Sequence, residues 1–227
     1  MNNKKIIGVC GQLASGKDSV TNYLVKRLNN TVDGLYVHDF GLGPLPWIRV
    51  GFADAVKRVF MDAFGVSWDF IEEWKRKDEI PPEFDLNVRK GLQHIGDGFR
   101  KIQNDVWIRK ALRTPNPIVI SDCRYLNEAK VIVEHGGFNI LLYRPGYENN
   151  DPNPSESQIK PYIDFAAKNC KEGPLIDSVS PSGFEYFNYF LINDGSLEDL
   201  YKKIDNQLLN YLTKVGIYNE SKDFDVS

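Results

Sequence analysis

The stretch GVCGQLASGKDSV, residues 8–20, decides how the rest of the chain is interpreted. Gly11, Gly16 and Lys17 satisfy the pattern G-x-x-x-x-G-K between a predicted strand and a predicted helix, which is the context this pattern requires. Glycines at these positions let backbone N–H groups turn toward phosphate oxygens, and the positive end of the helix dipole adds to the attraction. The context therefore favours a phosphate-binding loop over a chance glycine turn.

Asp18 stands where such loops usually carry Ser or Thr, whose hydroxyl helps to hold Mg²⁺. Its carboxylate could bind Mg²⁺, directly or through water, because magnesium prefers oxygen ligands. It could instead act only as a favourable negative charge in the first turn of the helix. Ser19 offers a hydroxyl next to it, and the spacing leaves these alternatives open.

Apolar runs and helical patterns alternate along the chain. Asp54 is the predicted N-cap of the second helix and Gly65 its end, and the charged stretch 67–85 is predicted to form an exposed helix and turn. Strands are predicted at 5–10, 48–53, 116–122, 138–143 and within 186–195, and further helices at 17–28, 55–65, 86–102, 105–113, 125–135 and 196–212.

This alternation predicts an α/β fold: a three-layer α/β/α domain of the P-loop NTPase type, with a mostly parallel central sheet. The whole chain of 227 residues is expected to form this single domain. A helical region, approximately 54–113, is inserted between the second and third strands. A polar, proline-rich segment, approximately 144–160, is predicted to be a lid.

The composition describes a packed globular chain, with 42% hydrophobic residues and a net charge of −3. Proteins that bind a nucleic-acid backbone usually carry an excess of positive charge, which this chain lacks, so we expect no nucleic-acid partner. No run approaches the roughly 18 apolar residues of a membrane span. The short apolar run before the loop is interrupted by Gly8, so we expect no signal peptide. The three cysteines form no CxxC pair, which favours reduced thiols and a cytoplasmic location.

A second cluster of functional side chains is predicted at the end of the buried strand in VISDCR, residues 119–124. Ligands gather at the carboxyl ends of strands in open α/β sheets, where Asp122 would lie. Such an Asp commonly holds Mg²⁺ or a water of its shell, and Arg124 could bind a phosphate bidentately. The alternative is a helix-capping Asp beside a surface arginine.

A series of motifs runs along most of the chain in a fixed order. These are GQLASGKDSV, GFADAVKRVFMDAFGV (51–66), VRKGLQHIGDGFR with DVWIRKAL, SDCRYLNEA, YRPG, Ser155-Glu156 and INDGSLEDLYKKI. Together they resemble the motifs of phage deoxynucleoside monophosphate kinases, a family that also carries Asp after the loop lysine. Human-type phosphomevalonate kinases share a similar loop and D-x-R strand end.

The resemblance implies transfer of the ATP γ-phosphate to a deoxynucleoside 5′-monophosphate, with ATP and Mg²⁺ as cofactors and small molecules as partners. It also implies a homodimer, in the host cytoplasm if the chain is phage-encoded. The residues that would hold ATP are Gly11, Ser15, Gly16, Lys17, Asp18 and Ser19, and those for the metal are Asp18, Ser19 and Asp122. The residues that would face the acceptor are Lys57, Arg89, Gln93, Gly96, Asp97 and Trp107, with Asp122, Arg124 and Glu128 between the two nucleotides. Lys17, Asp122, Arg124 and, from the lid, Arg144 would be catalytic.

Two positions depart from the family pattern. Asp97 stands where a family member carries Thr, and a carboxylate there could alter the base accepted because it only accepts hydrogen bonds. Asn153 replaces a His that often precedes the Ser-Glu pair. Two other functions stay open: a P-loop kinase of another small acceptor, such as phosphomevalonate or a modified nucleotide, and a nucleotide-binding module with a degenerate loop.

Overall fold

The computed structural model describes residues 5–29, 45–147, 157–175 and 180–218. Its six strands form one sheet in the order β2-β3-β1-β4-β6-β5. β1 is parallel to β3 and β4, and β4 is parallel to β6. Among the pairings described, only that of β5 with β6 is antiparallel. The strands are β1 (Ile6–Cys10), β2 (Ile48–Val50), β3 (Ile118–Cys123), β4 (Phe138–Tyr143), β5 (Gly173–Pro174) and β6 (Tyr189–Ile192).

Helices connect these strands, which confirms the predicted α/β fold with a mostly parallel sheet. They are α1 (Lys17–Leu28), α2 (Phe52–Phe64), α3 (Trp68–Trp74), α4 (Val88–Ile102), α5 (Val106–Leu112), α6 (Leu126–Glu134), α7 (Lys160–Asn169), α8 (Leu197–Lys203) and α9 (Leu209–Lys214), the last two joined by a π-helical turn (Ile204–Leu208).

The sheet is apolar on both faces because helices cover both. Alternate strand residues such as Ile7, Val9 and Ile140 pack with α1 and the C-terminal helices in one buried cluster. On the other face α6 contacts β1 and β4, and an added Cβ at Gly8 would lie 2.8 Å from Ile132 of that helix. β1 lies between β3 and β4, so the loop that follows it emerges in the middle of the sheet edge where ligands gather in such folds.

The chain divides into two compact units. The first, Met1–Arg49 with Pro115–Ser227, contains the sheet, and the second, Val50–Thr114, contains α2 to α5. The second unit has a small core of its own around Phe60, Ile71 and Val88. The helical region predicted at 54–113 lies within this second unit.

Several element boundaries differ from the predictions. β2 ends at Val50 and α2 begins at Phe52, so Gly51 rather than Asp54 is the N-cap. The backbone N–H of Asp54 already donates to the Gly51 carbonyl, which places this Asp inside the first turn. Gly65 does end α2, with a left-handed φ of 67° that glycine adopts freely.

Two elements, α7 and β5, were not predicted. α7 begins at Lys160 with Pro161 in its first turn, where a missing N–H has no consequence. Only the two ends of the predicted lid are described: residues 148–156, with Asn153, Ser155 and Glu156, lie outside the described residues.

A pair of reciprocal hydrogen bonds joins the end of α1 to the start of β2. Asn29 Nδ2 donates to the Trp47 carbonyl at 2.9 Å, and the Trp47 N–H donates to Asn29 Oδ1 at 2.8 Å. Both residues are buried. Among the described residues, no helix combines the length and apolar character that a membrane span requires.

Candidate functional site

The loop between β1 and α1 adopts a backbone that most residues avoid. Gly16 has φ 99°, and Ala14, with φ 60°, is the one non-glycine residue with positive φ among those described. A side chain in the left-handed region costs roughly 1–2 kcal/mol, and strain of this kind concentrates at functional sites. The loop is therefore held in a shape that its sequence alone would not favour.

Side chains from elsewhere in the first unit hold the carbonyl groups of this loop. Lys17 Nζ donates to the Gln12 carbonyl, Arg144 Nη1 to the Ala14 carbonyl at 3.2 Å, and Asn193 Nδ2 to the Ser15 carbonyl at 2.9 Å. Arg144 follows β4 directly and Asn193 follows β6. The loop carbonyls are thus occupied by three donors that converge from three elements.

Four backbone N–H groups of the same loop have no acceptor among the described residues. In the part of the chain that the structure describes, none is found for the backbone N–H groups of Ala14, Gly16, Asp18 and Ser19. The Ser15 hydroxyl is buried, at 3% exposure, and also has no partner there. Buried polar groups normally pair, so a set of unpaired donors at a helix N-terminus fits an anionic ligand such as a phosphate chain.

The position of Gly11, at the start of the loop, has no space for a side chain. A Cβ added to Gly11 would lie 2.9 Å from the Leu142 carbonyl oxygen and 2.8 Å from Ser15 Oγ. The carbonyl belongs to β4 and cannot move without distorting the sheet. Gly11 therefore lets the loop pass close over the strand edge.

Lys17 is buried at 7% exposure, and its ammonium group lies beside the loop through the hydrogen bond to Gln12. Because the ammonium has three donors, it can bind an anion and keep that contact. The ammonium group adds positive charge next to the N–H groups of the loop, which suits an anionic ligand.

Asp18 makes a contact that the sequence did not predict. Its Oδ1 accepts a hydrogen bond from Arg49 Nη2 at 2.7 Å, with the two side chains 77% and 41% exposed. α1 has Gly16 as its N-cap and no side-chain capping bond, so Asp18 does not cap the helix through a hydrogen bond. Its charge still lies in the first turn, where it favours the helix dipole.

The predicted strand-end cluster lies on the strand next to the loop. Asp122 is half-buried at the end of β3, which pairs with β1, and Arg124 follows it. The Glu128 carboxylate, 2% exposed, accepts the backbone N–H groups of Arg124 at 2.9 Å and Tyr125 at 3.1 Å. Glu128 therefore fixes the backbone that carries Arg124, as an N-terminal cap of α6.

The two cysteines nearest the loop are packing residues. Cys10 and Cys123 lie opposite each other on β1 and β3, and both are buried. Burial raises the pKa of the Cys123 thiol well above its usual value, and Cys10 and Glu128 add to the rise. A neutral thiol is a poor nucleophile, so Cys123 offers no covalent chemistry.

Arg144, predicted as a lid residue, contacts the loop itself. Besides its bond to Ala14, its guanidinium lies 3.6 Å from the centroid of the Tyr147 ring. This cation–π contact holds the side chain from the other side. The structure thus brings together Gly11, Ser15, Gly16, Lys17, Asp18, Ser19 and Arg144 of the predicted set, with Arg49 and Asn193 added to them.

In the second unit, Lys57 is enclosed by charged and aromatic groups. Its Nζ lies 3.2 Å from Asp54 Oδ1, 3.0 Å from Glu72 Oε1 and 4.2 Å from the centroid of the Trp68 ring. Burial would raise the pKa of Glu72, but hydrogen bonds from Lys75 and Lys57 outweigh it and hold that pKa below its usual value. Glu72 is thereby held in its ionised form beside Lys57, whose side chain is 12% exposed.

The other predicted acceptor residues lie on α4 and α5. Arg89, Gln93 and Asp97 follow one another at intervals of four residues, so they share one face of α4. Asp97 pairs with Arg100 at 3.3 Å. The buried Trp107 donates its indole N–H to the Gly96 carbonyl at 3.1 Å, so this ring joins α5 to α4.

The chain is similar to a protein of Acanthamoeba polyphaga mimivirus named "Putative deoxynucleotide monophosphate kinase". The two are 26% identical over 220 residues, which cover 88% of this chain and 93% of the viral protein. No protein-family model matches the chain.

Two solved structures resemble the chain weakly. A shikimate kinase from Aquifex aeolicus has a TM-score of 0.41 at 15% identity, over 92% of this chain and 97% of its own. A sugar kinase from Janibacter sp. HTCC2649 has a TM-score of 0.36 at 13% identity, over 96% and 99%. Likenesses at this level do not bear on function, and the fold rests on the strands and helices described above.

Proposed function

We propose that this protein is a kinase that transfers the γ-phosphate of ATP to a deoxynucleoside 5′-monophosphate, giving the diphosphate. The observation that carries the proposal is the set of unpaired donors in the loop after β1, which are the backbone N–H groups of Ala14, Gly16, Asp18 and Ser19 with the Ser15 hydroxyl. The name of the mimivirus relative supports the acceptor class.

The donors fit the phosphate chain of a nucleotide. N–H groups at a helix N-terminus and a nearby ammonium group are what phosphoryl-transfer sites use to hold the transferring phosphate. Gly11 lets the loop pass close over the strand edge, and Lys17 supplies the positive charge. We propose that Gly11, Ser15, Gly16, Lys17 and Ser19 hold the ATP phosphates.

Mg²⁺ in such sites is usually bound by one or two carboxylates, waters and the substrate phosphates. The described ranges contain no group of three or more His, Cys, Asp or Glu able to hold a metal ion. Asp122, half-buried at the end of β3, and the Ser19 hydroxyl are the proposed oxygen donors. The ion would neutralise charge that develops on the phosphates.

In the reaction, an oxygen of the acceptor phosphate forms a bond to the γ-phosphorus, and the bond from this phosphorus to the β-γ bridging oxygen breaks. The acceptor oxygen is already charged, so no general base is needed. The chain supplies positioning and positive charge, from Lys17, Arg124 and Arg144. Arg144 already contacts the loop through the Ala14 carbonyl.

We propose that the second unit binds the acceptor through Lys57 and through the face of α4 that carries Arg89, Gln93 and Asp97. Lys57 is held by Asp54 and Glu72, which orient its ammonium group for an anion. Trp107 supports this face through its bond to Gly96, which is a positioning role. The homodimer and the cytoplasmic location expected from the sequence stay predictions.

The test is a coupled assay for ADP release with ATP, Mg²⁺ and a panel of deoxynucleoside and nucleoside monophosphates and phosphomevalonate. Turnover with a deoxynucleoside monophosphate supports the proposal. Turnover with phosphomevalonate alone would show that the protein is a kinase of a different acceptor. Nucleotide binding with no turnover would show that it is a nucleotide-binding module.

Lys17→Ala should lower kcat by roughly 100-fold or more, because one preorganised charge on the transferring group is lost. Lys26→Ala, an exposed lysine further along α1, is the matched control and should retain full activity. The Gln12 carbonyl keeps the N–H of Ser15 as a donor, so circular dichroism should show an intact fold for Lys17→Ala. Normal turnover of Lys17→Ala would remove the loop from the mechanism.

A further inference from the structure

We infer that Arg49 is a further phosphate-binding residue of this site, and that Asp18 positions Arg49 instead of binding magnesium. The inference rests on the proposed function and names the role of a residue that no motif marks. The observation behind it is the 2.7 Å hydrogen bond from Arg49 Nη2 to Asp18 Oδ1.

The bond places a guanidinium beside the unpaired donors of the loop. Asp18 is the second residue of α1, and its own backbone N–H is one of those donors. Arg49 reaches it from β2, two strands away from β1, on the far side of β3. The guanidinium is thereby anchored next to the N-terminus of α1 from outside the loop.

Arg49 keeps most of its hydrogen-bonding capacity in this position. A guanidinium has five N–H donors in a planar fork, and Arg49 uses one of them on Asp18 among the described residues. The side chain is 41% exposed, so the other donors are accessible to a ligand. A planar fork of this kind matches the oxygens of a phosphate group.

Charge explains why the carboxylate needs this partner. An unpaired carboxylate beside a phosphate-binding loop would repel the ligand, because like charges a few ångströms apart disfavour each other. The guanidinium cancels that charge and leaves donors for the phosphate. The neutral hydroxyl of Ser or Thr, which the motif usually carries here, could not hold an arginine in the same way.

The same bond argues against Asp18 as the metal ligand. Oδ1 is already engaged by Arg49, and a magnesium ion at this carboxylate would lie close to a fixed positive charge. Asp122, at the end of β3, remains the proposed carboxylate for the ion.

The first experiment measures binding of tripolyphosphate without metal, by calorimetry in EDTA, so that no activity is involved. Arg49→Gln should weaken this binding about tenfold, the effect of one charge-assisted hydrogen bond, and Arg49→Lys should fall between. The control is Arg27→Gln. Arg27 lies on α1, the helix that carries Asp18, and its Nε lies 2.8 Å from Asp205 Oδ1 in an exposed ion pair. This variant should bind tripolyphosphate like wild type. Equal binding by Arg49→Gln and Arg27→Gln would overturn the inference, as would a wild-type protein that does not bind tripolyphosphate.

The second experiment measures the Mg²⁺ concentration at half-maximal rate, together with kcat. Asp18→Asn and Arg49→Gln should both lower kcat by about tenfold and leave the Mg²⁺ requirement within about twofold of wild type. A tenfold higher Mg²⁺ requirement in Asp18→Asn alone would show a metal ligand and overturn the positioning role. If wild type lacks turnover on every acceptor while Arg49→Gln still loses tripolyphosphate binding, the proposed function fails and Arg49 remains a phosphate-binding residue.

Discussion

Gly16→Ala tests how the loop between β1 and α1 is held in its shape. Gly16 has φ 99°, and a Cβ there would lie 2.7 Å from Asn193 Nδ2, the atom that donates to the Ser15 carbonyl. The left-handed backbone costs an alanine roughly 1–2 kcal/mol. The clash forces Asn193 away and removes its hydrogen bond, a loss of about 1 kcal/mol more. The expected total is about 2–3 kcal/mol of unfolding free energy.

The control is Gly136→Ala in the same unit. Gly136 has φ 73°, and an added Cβ would meet no atom within 4 Å. Gly136→Ala therefore carries only the free-energy cost of placing an alanine in a left-handed backbone. Urea denaturation followed by circular dichroism should give a destabilisation of about 1–2 kcal/mol for Gly136→Ala. The amount by which Gly16→Ala destabilises the protein more than Gly136→Ala measures the cost of the contact with Asn193.

An Asn193→Ala background completes the test. In that background the 2.7 Å contact no longer exists, so Gly16→Ala should cost the same as Gly136→Ala. An excess that persists without Asn193, or a Gly16→Ala variant no less stable than Gly136→Ala, would refute the role given to Asn193.

Two further predictions concern the second unit. Trp107→Phe should destabilise the protein by about 1 kcal/mol in urea denaturation because the bond to the Gly96 carbonyl is lost, whereas Trp74→Phe, whose indole N–H has no acceptor among the described residues, serves as the control. Equal losses in the two would mean that the hydrogen bond contributes nothing. The lowered pKa of Glu72 means that its ionised form stabilises the fold above the usual pKa of 4.5, and that this stabilisation is lost as pH falls through the lower folded value. The stability difference between wild type and Glu72→Gln should therefore shrink in acid, and a constant difference from pH 7 down to pH values below about 4 would contradict the ion cluster.

The elements around the loop could be predicted because their signals are local. α1 and β4 have the predicted bounds, 17–28 and 138–143, since apolar periodicity and glycine punctuation act over a few residues. The start of α2 was missed by three residues, because Gly51 can cap a helix without a side chain. β5 was missed because two residues, Gly173–Pro174, carry no periodicity at all.

The partners of the loop could not be predicted from the sequence. Asn193 and Ser15 are 178 residues apart, and Arg49 and Asp18 are 31 apart, so no local pattern links them. Asn193 directly follows β6, and a polar residue at a strand end was the only available signal. The motif predicted which residues form the loop, and the strand order decided which side chains reach it.

The paired hydrogen bonds between Asn29 and Trp47 have a consequence for the contact between Asp18 and Arg49. They join the exit of α1 to the entry of β2, with both residues buried, so the two elements that carry Asp18 and Arg49 share one anchor. Asn29→Ala would remove both bonds at once and leave the buried N–H and carbonyl of Trp47 without these partners. A substitution at the far end of α1 can therefore loosen the hold of Arg49 on Asp18.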